Sequence, residues 1–169
     1  MTIYYEIVGY SNTGSPWMTR GGKVMDYGCI PSTTEYIEGV NYKIYIYRIT
    51  LTNIIGQVHE FSPREVQIWC KERGLRPCNE LYYGLAYSLY PDLDVNDNWN
   101  ENFLEKLAND SGFYMEMDSP DCNNKVPHEG IVIKKDDGIS RAWKLKSFKF
   151  LNIEQKDLDK GVDNIEDNV

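Results

Sequence analysis

Two short segments in the C-terminal third of the sequence combine charged and apolar residues in a pattern that suits anion binding. In HEGIVIK, Glu129 stands at the start of a β-branched run with Gly130 beside it, and a glycine there lets another backbone or a ligand approach closely. In WKLKSF, Lys144 and Lys146 are two residues apart, so on a strand they point to one face. Two lysines on one face of an otherwise apolar strand need either an anionic partner or solvent, and the pattern leaves both open.

These segments are predicted to lie on the two arms of a β-hairpin. The first strand begins at Glu129, the sequence DDG at 136–138 has the residue types of a turn, and the second strand begins at Arg141.

Two further strands and a turn are predicted in the first third of the chain. TIYYEIVGY opens the sequence as a strand, and YKIYIYRITL at 42–51 is the clearest strand of all. Gly56 marks a hairpin turn before QVHEF. Alternation along the second strand predicts two faces, one with Tyr45, Tyr47 and Ile49 and the other with Ile44, Ile46 and Arg48.

Two helices are predicted between these strands and the hairpin. The first has Ser62 as N-cap, Pro63 at its first position, Glu65 completing a capping box, and Gly74 just past its end. The second runs from about Glu101 to Asn109, with an apolar stripe formed by Phe103, Leu104 and Leu107. Core packing accounts for both, so the helices are expected to support the site and not to take part in chemistry.

Composition places the chain among folded proteins and argues against strong non-specific nucleic-acid binding. The 169 residues are 41% hydrophobic and 13% aromatic, with a formal net charge of -8. Six acidic residues and two lysines lie in residues 152–169, so half of the excess charge belongs to an acidic tail. The tail is expected to be solvated, and residues 1–151 are expected to form the domain.

The cysteines and the apolar runs bear on cofactors and location. Cys29, Cys70, Cys78 and Cys122 include no C-x-x-C pair and no histidine at ligand spacing, which argues against a zinc site. No apolar run reaches the ~20 residues of a membrane span, and the N-terminus has no signal-like segment. We therefore expect a cytoplasmic protein with free thiols and no membrane partner.

Taken in order, the charged and aromatic strands resemble the C-terminal part of the nucleotidyltransferase domain of phage-type ATP-dependent RNA ligases. Glu6 in YYEIVGY is similar to the glutamate of motif III, although Tyr5 stands where a glycine is common. Tyr47, with Tyr45 as second choice, is similar to the aromatic of motif IIIa. HEGIVIK resembles motif IV and KLKSF resembles motif V, and the similarity covers essentially all of the chain.

The resemblance implies a fold, a reaction and a role for each matched residue. The fold would be α+β, with antiparallel β-sheets, a few packing helices, and the hairpin of motifs IV and V lining a nucleotide cleft. The enzyme would join 5′-phosphate and 3′-hydroxyl RNA ends through AMP intermediates, using ATP and Mg²⁺ or Mn²⁺. The family roles are phosphate contacts for Lys144 and Lys146, metal binding for Glu129, ribose binding or adduct orientation for Glu6, and adenine stacking for Tyr47 or Tyr45.

The family's nucleophilic lysine belongs to a K-x-D/N-G motif that precedes motif III, where this sequence begins. Only KDDG, from Lys135 to Gly138, matches that pattern, and Asp-Asp-Gly is what a hairpin turn requires. Lys135 also lies six residues from Glu129, roughly 20 Å along a strand. The sequence thus predicts an incomplete ligase domain that a separate N-terminal fragment would complete. The alternatives are a non-catalytic remnant and an interaction module retaining nucleotide or RNA affinity; preference for RNA over DNA ends stays open.

Overall fold

The computed structural model describes residues 1–137 and 141–159 and has an α+β architecture with small antiparallel sheets and four α-helices. The chain divides into two compact units. The first contains Met1–Asn79, Cys122–Asn124 and the described residues of Ile133–Trp143; the second contains Glu80–Asp121, Lys125–Val132 and the described residues of Lys144–Val169. Across the described part of the chain, no helix has the length and apolar character needed to cross a membrane.

The first unit is built on a three-stranded antiparallel sheet in the order β1-β4-β5. Its strands are β1 (Thr2–Gly9), β4 (Tyr42–Thr52) and β5 (Val58–Glu60), and a two-stranded ribbon of β2 (Thr19–Arg20) and β3 (Lys23–Val24) lies between β1 and β4 in the chain. The turn at Gly56 has a positive φ of 83°, as the predicted hairpin requires. The strands predicted at the N-terminus and at 42–51 are both confirmed.

A β-bulge at Tyr47 corrects the predicted faces of β4. Tyr4 pairs with Arg48 and Tyr5 with Ile46, so Tyr47 is an extra residue with no partner in β1. The extra residue reverses the alternation beyond it and turns Ile49 to the core with Ile46. The prediction that Ile49 shares a face with Tyr45 and Tyr47 is therefore wrong, because strict alternation cannot contain a bulge.

Helix α1 (Pro63–Glu72) covers the core face of this sheet. Val66 and Cys70 pack with Ile46 and Ile49 in one buried cluster, and Ile49 is fully buried. The predicted capping box is confirmed, since the Ser62 hydroxyl accepts from the Glu65 N–H at 3.3 Å and the Glu65 carboxylate accepts from the Ser62 N–H at 2.7 Å. The predicted helix end is confirmed as well, with Gly74 at φ 65° just beyond it.

Replacing Ser62 with alanine should reduce the free energy of unfolding by about 1 kcal/mol at neutral pH, because the cap hydrogen bond is lost. The hydrogen bonds from Ser62 hold the pKa of Glu65 below its ordinary value. The stability that ionised Glu65 contributes is present above the ordinary glutamate pKa. It is lost as the pH falls through the lowered pKa of Glu65. Urea titrations at neutral and acidic pH should thus show a smaller effect in acid. Ser88→Ala, at an exposed serine in a short helix, should leave the free energy of unfolding unchanged at both neutral and acidic pH.

The second unit contains the remaining helices, α2 (Ala86–Leu89), α3 (Trp99–Ala108) and α4 (Phe148–Asp159), with a single 3-10 turn at Ser111–Phe113. The helix predicted at about Glu101 to Asn109 is confirmed as α3. Of its predicted apolar stripe, Leu107 is buried and Phe103 stacks on Trp99, whereas Leu104 is exposed. Six buried hydrophobic residues mark the interior of this unit: Tyr90, Leu107, Phe113, Met115, Val126 and Phe150.

Strands β6 (Gly130–Lys135) and β7 (Arg141–Lys146) form the predicted hairpin, and Gly138 of its predicted turn lies outside the described residues. β7 ends at Lys146, and the chain turns directly into α4, which was not predicted. Helix α4 takes in residues 152–159 of the predicted acidic tail; residues 160–169 lie outside the described part. Lys144 and Lys146 thereby lie four and two positions before the first residue of α4.

Candidate functional site

In the second unit, Glu129 and Lys144 form an ion pair where β6 begins and β7 approaches its end. The neighbouring Gly130 makes this geometry possible. Its φ is 140°, and a Cβ there would lie 2.0 Å from the Leu145 carbonyl oxygen and 2.7 Å from the Lys146 Cα. The glycine predicted to permit close approach of a backbone or ligand thus admits the backbone of β7, and glutamate and lysine meet as a result.

Ser147 ties the end of β7 to the start of β6. Its backbone N–H donates to the Glu129 carbonyl at 2.8 Å, and its hydroxyl donates to the His128 carbonyl at 2.6 Å. The same hydroxyl oxygen accepts from the Phe150 N–H at 3.2 Å in the first turn of α4. Ser147 is 1% exposed. This buried side chain therefore links the end of β7, the first turn of α4 and the backbone just before β6.

Lys146 pairs with a carboxylate of its own. Its amine lies 2.6 Å from Glu154 in α4 and 5.4 Å from the centre of the Phe150 ring. Because α4 was not predicted, neither was this partner. The sequence left open whether the two lysines face an anionic partner or solvent. In the structure each lysine pairs with a carboxylate of its own unit, Lys144 with Glu129 and Lys146 with Glu154.

The start of α4 is held by a second acid, Glu116. Its carboxylate accepts from the backbone N–H groups of Phe148 and Lys149, which stabilises the positive end of the helix dipole. Glu116 has a φ of 57°, and Tyr114 has one of 59°; both are uncommon for residues other than glycine. No local sequence signal identifies Glu116, because its partners lie about thirty residues away.

In the first unit, Glu6 and the two candidate tyrosines lie on neighbouring strands. Glu6 is directly opposite Tyr45 in the β1–β4 register, so their side chains share a face of the sheet. Burial raises the pKa of Tyr47, and the negative charge of Glu6 raises it further. The Tyr47 side chain is 37% exposed, which leaves part of it accessible to a ligand.

Two cationic residues outside the predicted site lie near aromatic rings of this sheet, Lys134 at Tyr47 and Arg48 at Tyr4. The Lys134 amine donates to the Tyr47 carbonyl and lies 5.8 Å from the centre of the Tyr47 ring; loss of water around the amine lowers the Lys134 pKa. Arg48 lies 4.7 Å from the Tyr4 ring centre and pairs with Glu60 at 2.8 Å. The alternation of β6 gives no hint of Lys134, because its contact with Tyr47 spans 87 residues of chain.

Lys135, the lysine of KDDG, behaves as a hairpin residue. Its amine pairs with Asp137 at 2.8 Å, and Arg141 approaches the same carboxylate at 3.4 Å. About half of the Lys135 side chain is exposed. These contacts agree with a turn-stabilising role for this lysine.

The second unit's charge arrangement suits a phosphate better than a dedicated metal cage. Over residues 1–137 and 141–159, no three His, Cys, Asp or Glu side chains lie together as metal ligands. Mg²⁺ characteristically keeps several waters and uses one or two carboxylates together with substrate phosphates. A single carboxylate such as Glu129 fits that mode when its lysine partner moves to a phosphate. Lys144 and Lys146 supply the positive charge that a phosphate needs.

Comparison with protein-family models, with curated proteins and with solved structures gives no match for this chain.

Proposed function

We propose that residues 1–151 supply the motif III to motif V part of an ATP-dependent RNA ligase that joins 5′-phosphate and 3′-hydroxyl RNA ends. The observation that carries the proposal is the cluster of Glu129, Gly130, Lys144 and Lys146. The two segments that resemble motifs IV and V are in backbone contact through Gly130, and the acid of one pairs with a lysine of the other. A site for phosphoryl transfer needs these groups to be held together before substrate binds.

In the proposed reaction a lysine attacks the α-phosphate of ATP, pyrophosphate leaves, and a lysyl-AMP adduct forms. AMP then passes to the RNA 5′-phosphate, and the 3′-hydroxyl displaces AMP as the phosphodiester forms. Phosphoryl transfer depends mainly on positioning and on neutralising charge. Lys144 and Lys146 would do both by exchanging Glu129 and Glu154 for oxygens of the α-phosphate.

Glu129, once released by Lys144, would hold a divalent cation through water. The metal would supply positive charge to the phosphates as a Lewis acid.

The roles in nucleoside recognition that the resemblance implies fall on residues of β1 and β4. Tyr47 is the proposed adenine-stacking residue and Tyr45 the second candidate, since aromatic faces stack on planar bases. Glu6, whose charge acts on Tyr47, would accept hydrogen bonds from ribose hydroxyls. The nucleophilic lysine would come from a K-x-D/N-G segment outside residues 1–151.

Incubation of the chain with labelled ATP and Mg²⁺ should give no covalent AMP adduct, because Lys135 is engaged in the β6–β7 turn with Asp137. Addition of a ligase fragment carrying K-x-D/N-G should place the label on that fragment and restore sealing of nicked RNA. A denaturing gel and peptide mapping measure both outcomes.

A label on Lys135, lost in Lys135→Arg, would contradict the assignment of KDDG to a turn and would make this chain its own nucleophile donor. If the fragment restores nothing and the chain does not bind AMP, the ligase proposal is wrong and an interaction module is favoured. A parallel reaction with nicked DNA would establish which end type is preferred.

A further inference from the structure

The charge of this protein is divided unevenly along its sequence, and the division does not follow the acidic tail alone. Residues 80–121 contain ten acidic residues and a single lysine, a net charge of -9. Residues 1–79 and 122–151 together contain fifteen basic and ten acidic residues, a net charge of +5. All six candidate site residues belong to the second set. The acidic segment therefore carries a chemistry that the proposed ligase site does not use.

Most acidic side chains of the segment are exposed to solvent. Its only lysine, Lys106, is already paired with Asp92 at 2.5 Å. Other carboxylates of the segment are exposed, among them Glu80, Asp94, Asp97, Glu101 and Glu105. An open cavity of about 670 Å³ lies against α3, and its charged lining residues are Glu105, Asp110 and Lys106. The exposed carboxylates of the segment favour a cationic group and repel phosphate.

A tyrosine-rich loop begins the same segment. Within seven residues, five large side chains are between 41% and 60% exposed: Leu81, Tyr82, Tyr83, Leu85 and Tyr87. The loop is held in shape by a hydrogen bond from the Tyr82 hydroxyl to the Leu85 carbonyl at 3.1 Å. Tyrosines supply large contact areas at low conformational cost and are enriched at protein interfaces. We define residues 81–87 as the tyrosine loop.

We propose that the tyrosine loop, with the acidic residues 92–105 that follow it, is a docking surface for a basic and partly apolar protein segment. Charge complementarity identifies the partner, because a net charge of -9 over 42 residues attracts lysine and arginine. Single-stranded RNA also stacks on tyrosine, but it does so within a positively charged groove, which this segment lacks the residues to form. The apolar side chains of the partner would cover the tyrosines, and its cations would face the acids.

The test uses the full chain and a short labelled peptide rich in arginine and leucine. Fluorescence anisotropy should show saturable binding that weakens as salt is added. The triple variant Tyr82→Ser/Tyr83→Ser/Tyr87→Ser should bind the peptide at least about tenfold more weakly, as expected when central aromatic residues of an interface are removed. A charge variant, Asp94→Asn/Asp97→Asn/Glu101→Gln/Glu105→Gln, should weaken binding and flatten its salt dependence.

The matched control removes exposed apolar residues elsewhere. Ile54 and Ile55, at the β4–β5 turn, are more exposed than any of the five large side chains of the tyrosine loop, so Ile54→Ser/Ile55→Ser should leave peptide affinity unchanged. A second control replaces leucine by serine in the peptide, which should reduce its affinity to that measured with the tyrosine variant.

Four results would overturn the proposal. The first is no binding of the peptide. The second is equal peptide affinity for wild type and the tyrosine variant, which would mean that peptide binding depends on charge alone. The third is binding of oligouridylate that requires the tyrosines, which would make the loop an RNA surface. The fourth is a dimer in sedimentation that the tyrosine variant dissociates, which would make a second copy of this chain the occupant. None of these measurements involves ATP or RNA sealing.

Discussion

Replacing Gly130 with alanine should lower the free energy of unfolding by about 3–5 kcal/mol, because backbone strain and overpacking are imposed together. A Cβ at this position would lie 2.0 Å from the Leu145 carbonyl oxygen and 2.9 Å from the Leu145 carbonyl carbon. Both are backbone atoms of β7, which cannot rotate away as a side chain can. Urea unfolding followed by circular dichroism measures the loss, and failure to obtain folded protein is the extreme form of the same result.

Gly22→Ala is the matched control for Gly130→Ala. Gly22 also has a positive φ, 75°, but a Cβ there meets no atom within 4 Å. Its substitution should cost only the backbone strain, about 1 kcal/mol. Equal losses for the two variants would mean that the approach of β7 to Gly130 contributes nothing, and the structural basis for holding Glu129 near Lys144 would fall with it.

Replacing Lys144 or Lys146 with alanine should weaken AMP binding by the chain about 10- to 150-fold. Each substitution removes a charge-assisted contact with phosphate, typically worth about 1.5–3 kcal/mol. Isothermal titration of the full chain with AMP measures the affinity, and sealing of nicked RNA in the presence of the lysine-bearing fragment should fall in parallel. Lys156→Ala, which removes an equal charge from the exposed surface of α4, should leave both unchanged.

Glu154→Gln separates a phosphate-binding role of Lys146 from a structural one. Glutamine removes the carboxylate charge that pairs with Lys146 and keeps the lysine itself. If Lys146 serves only to hold α4, loss of its ion pair should weaken AMP binding as much as Lys146→Ala does. If Lys146 binds phosphate, Glu154→Gln should keep or raise the affinity, since the lysine no longer has to leave a carboxylate.

The elements with strong local signals could be predicted from the sequence. The capping box of α1 and the hairpin at Gly56 depend on residues within four positions of each other, and both were identified with the correct residues. The extent of β4 followed from its β-branched and aromatic content. These features need no knowledge of the rest of the chain.

The features that could not be predicted depend on distant partners or on a break in periodicity. Helix α4 was missed because apolar residues alternate in KSFKFL as they do in a strand, although Ser147 offered an N-cap signal. The bulge at Tyr47 leaves no trace in composition. Likewise, the partners of Lys146 and Tyr47 could be found only once the fold brought Glu154 and Lys134 to them.

Of the candidate site, the sequence supplied the residue types and the structure supplied the pairing. Glu129 and Lys144 are predicted site residues of separate motifs and are in contact, whereas no motif predicts Ser147, which binds the Glu129 carbonyl. The assignments of Glu6, Tyr45 and Tyr47 to a nucleoside stay predictions until binding is measured.

Because Tyr47 is the extra residue of a bulge, β4 can lose or gain it by a one-residue deletion or insertion. With Tyr47 deleted, Ile44, Ile46 and Ile49 fall at alternate positions of a regular strand, and the hydrophobic core needs no rebuilding. Tyr47 is thus equivalent to a one-residue insertion that adds an aromatic ring beside Lys134 at no expense to the isoleucines. A single codon deletion or insertion would therefore remove or add this aromatic ring while the isoleucines keep their places in the core.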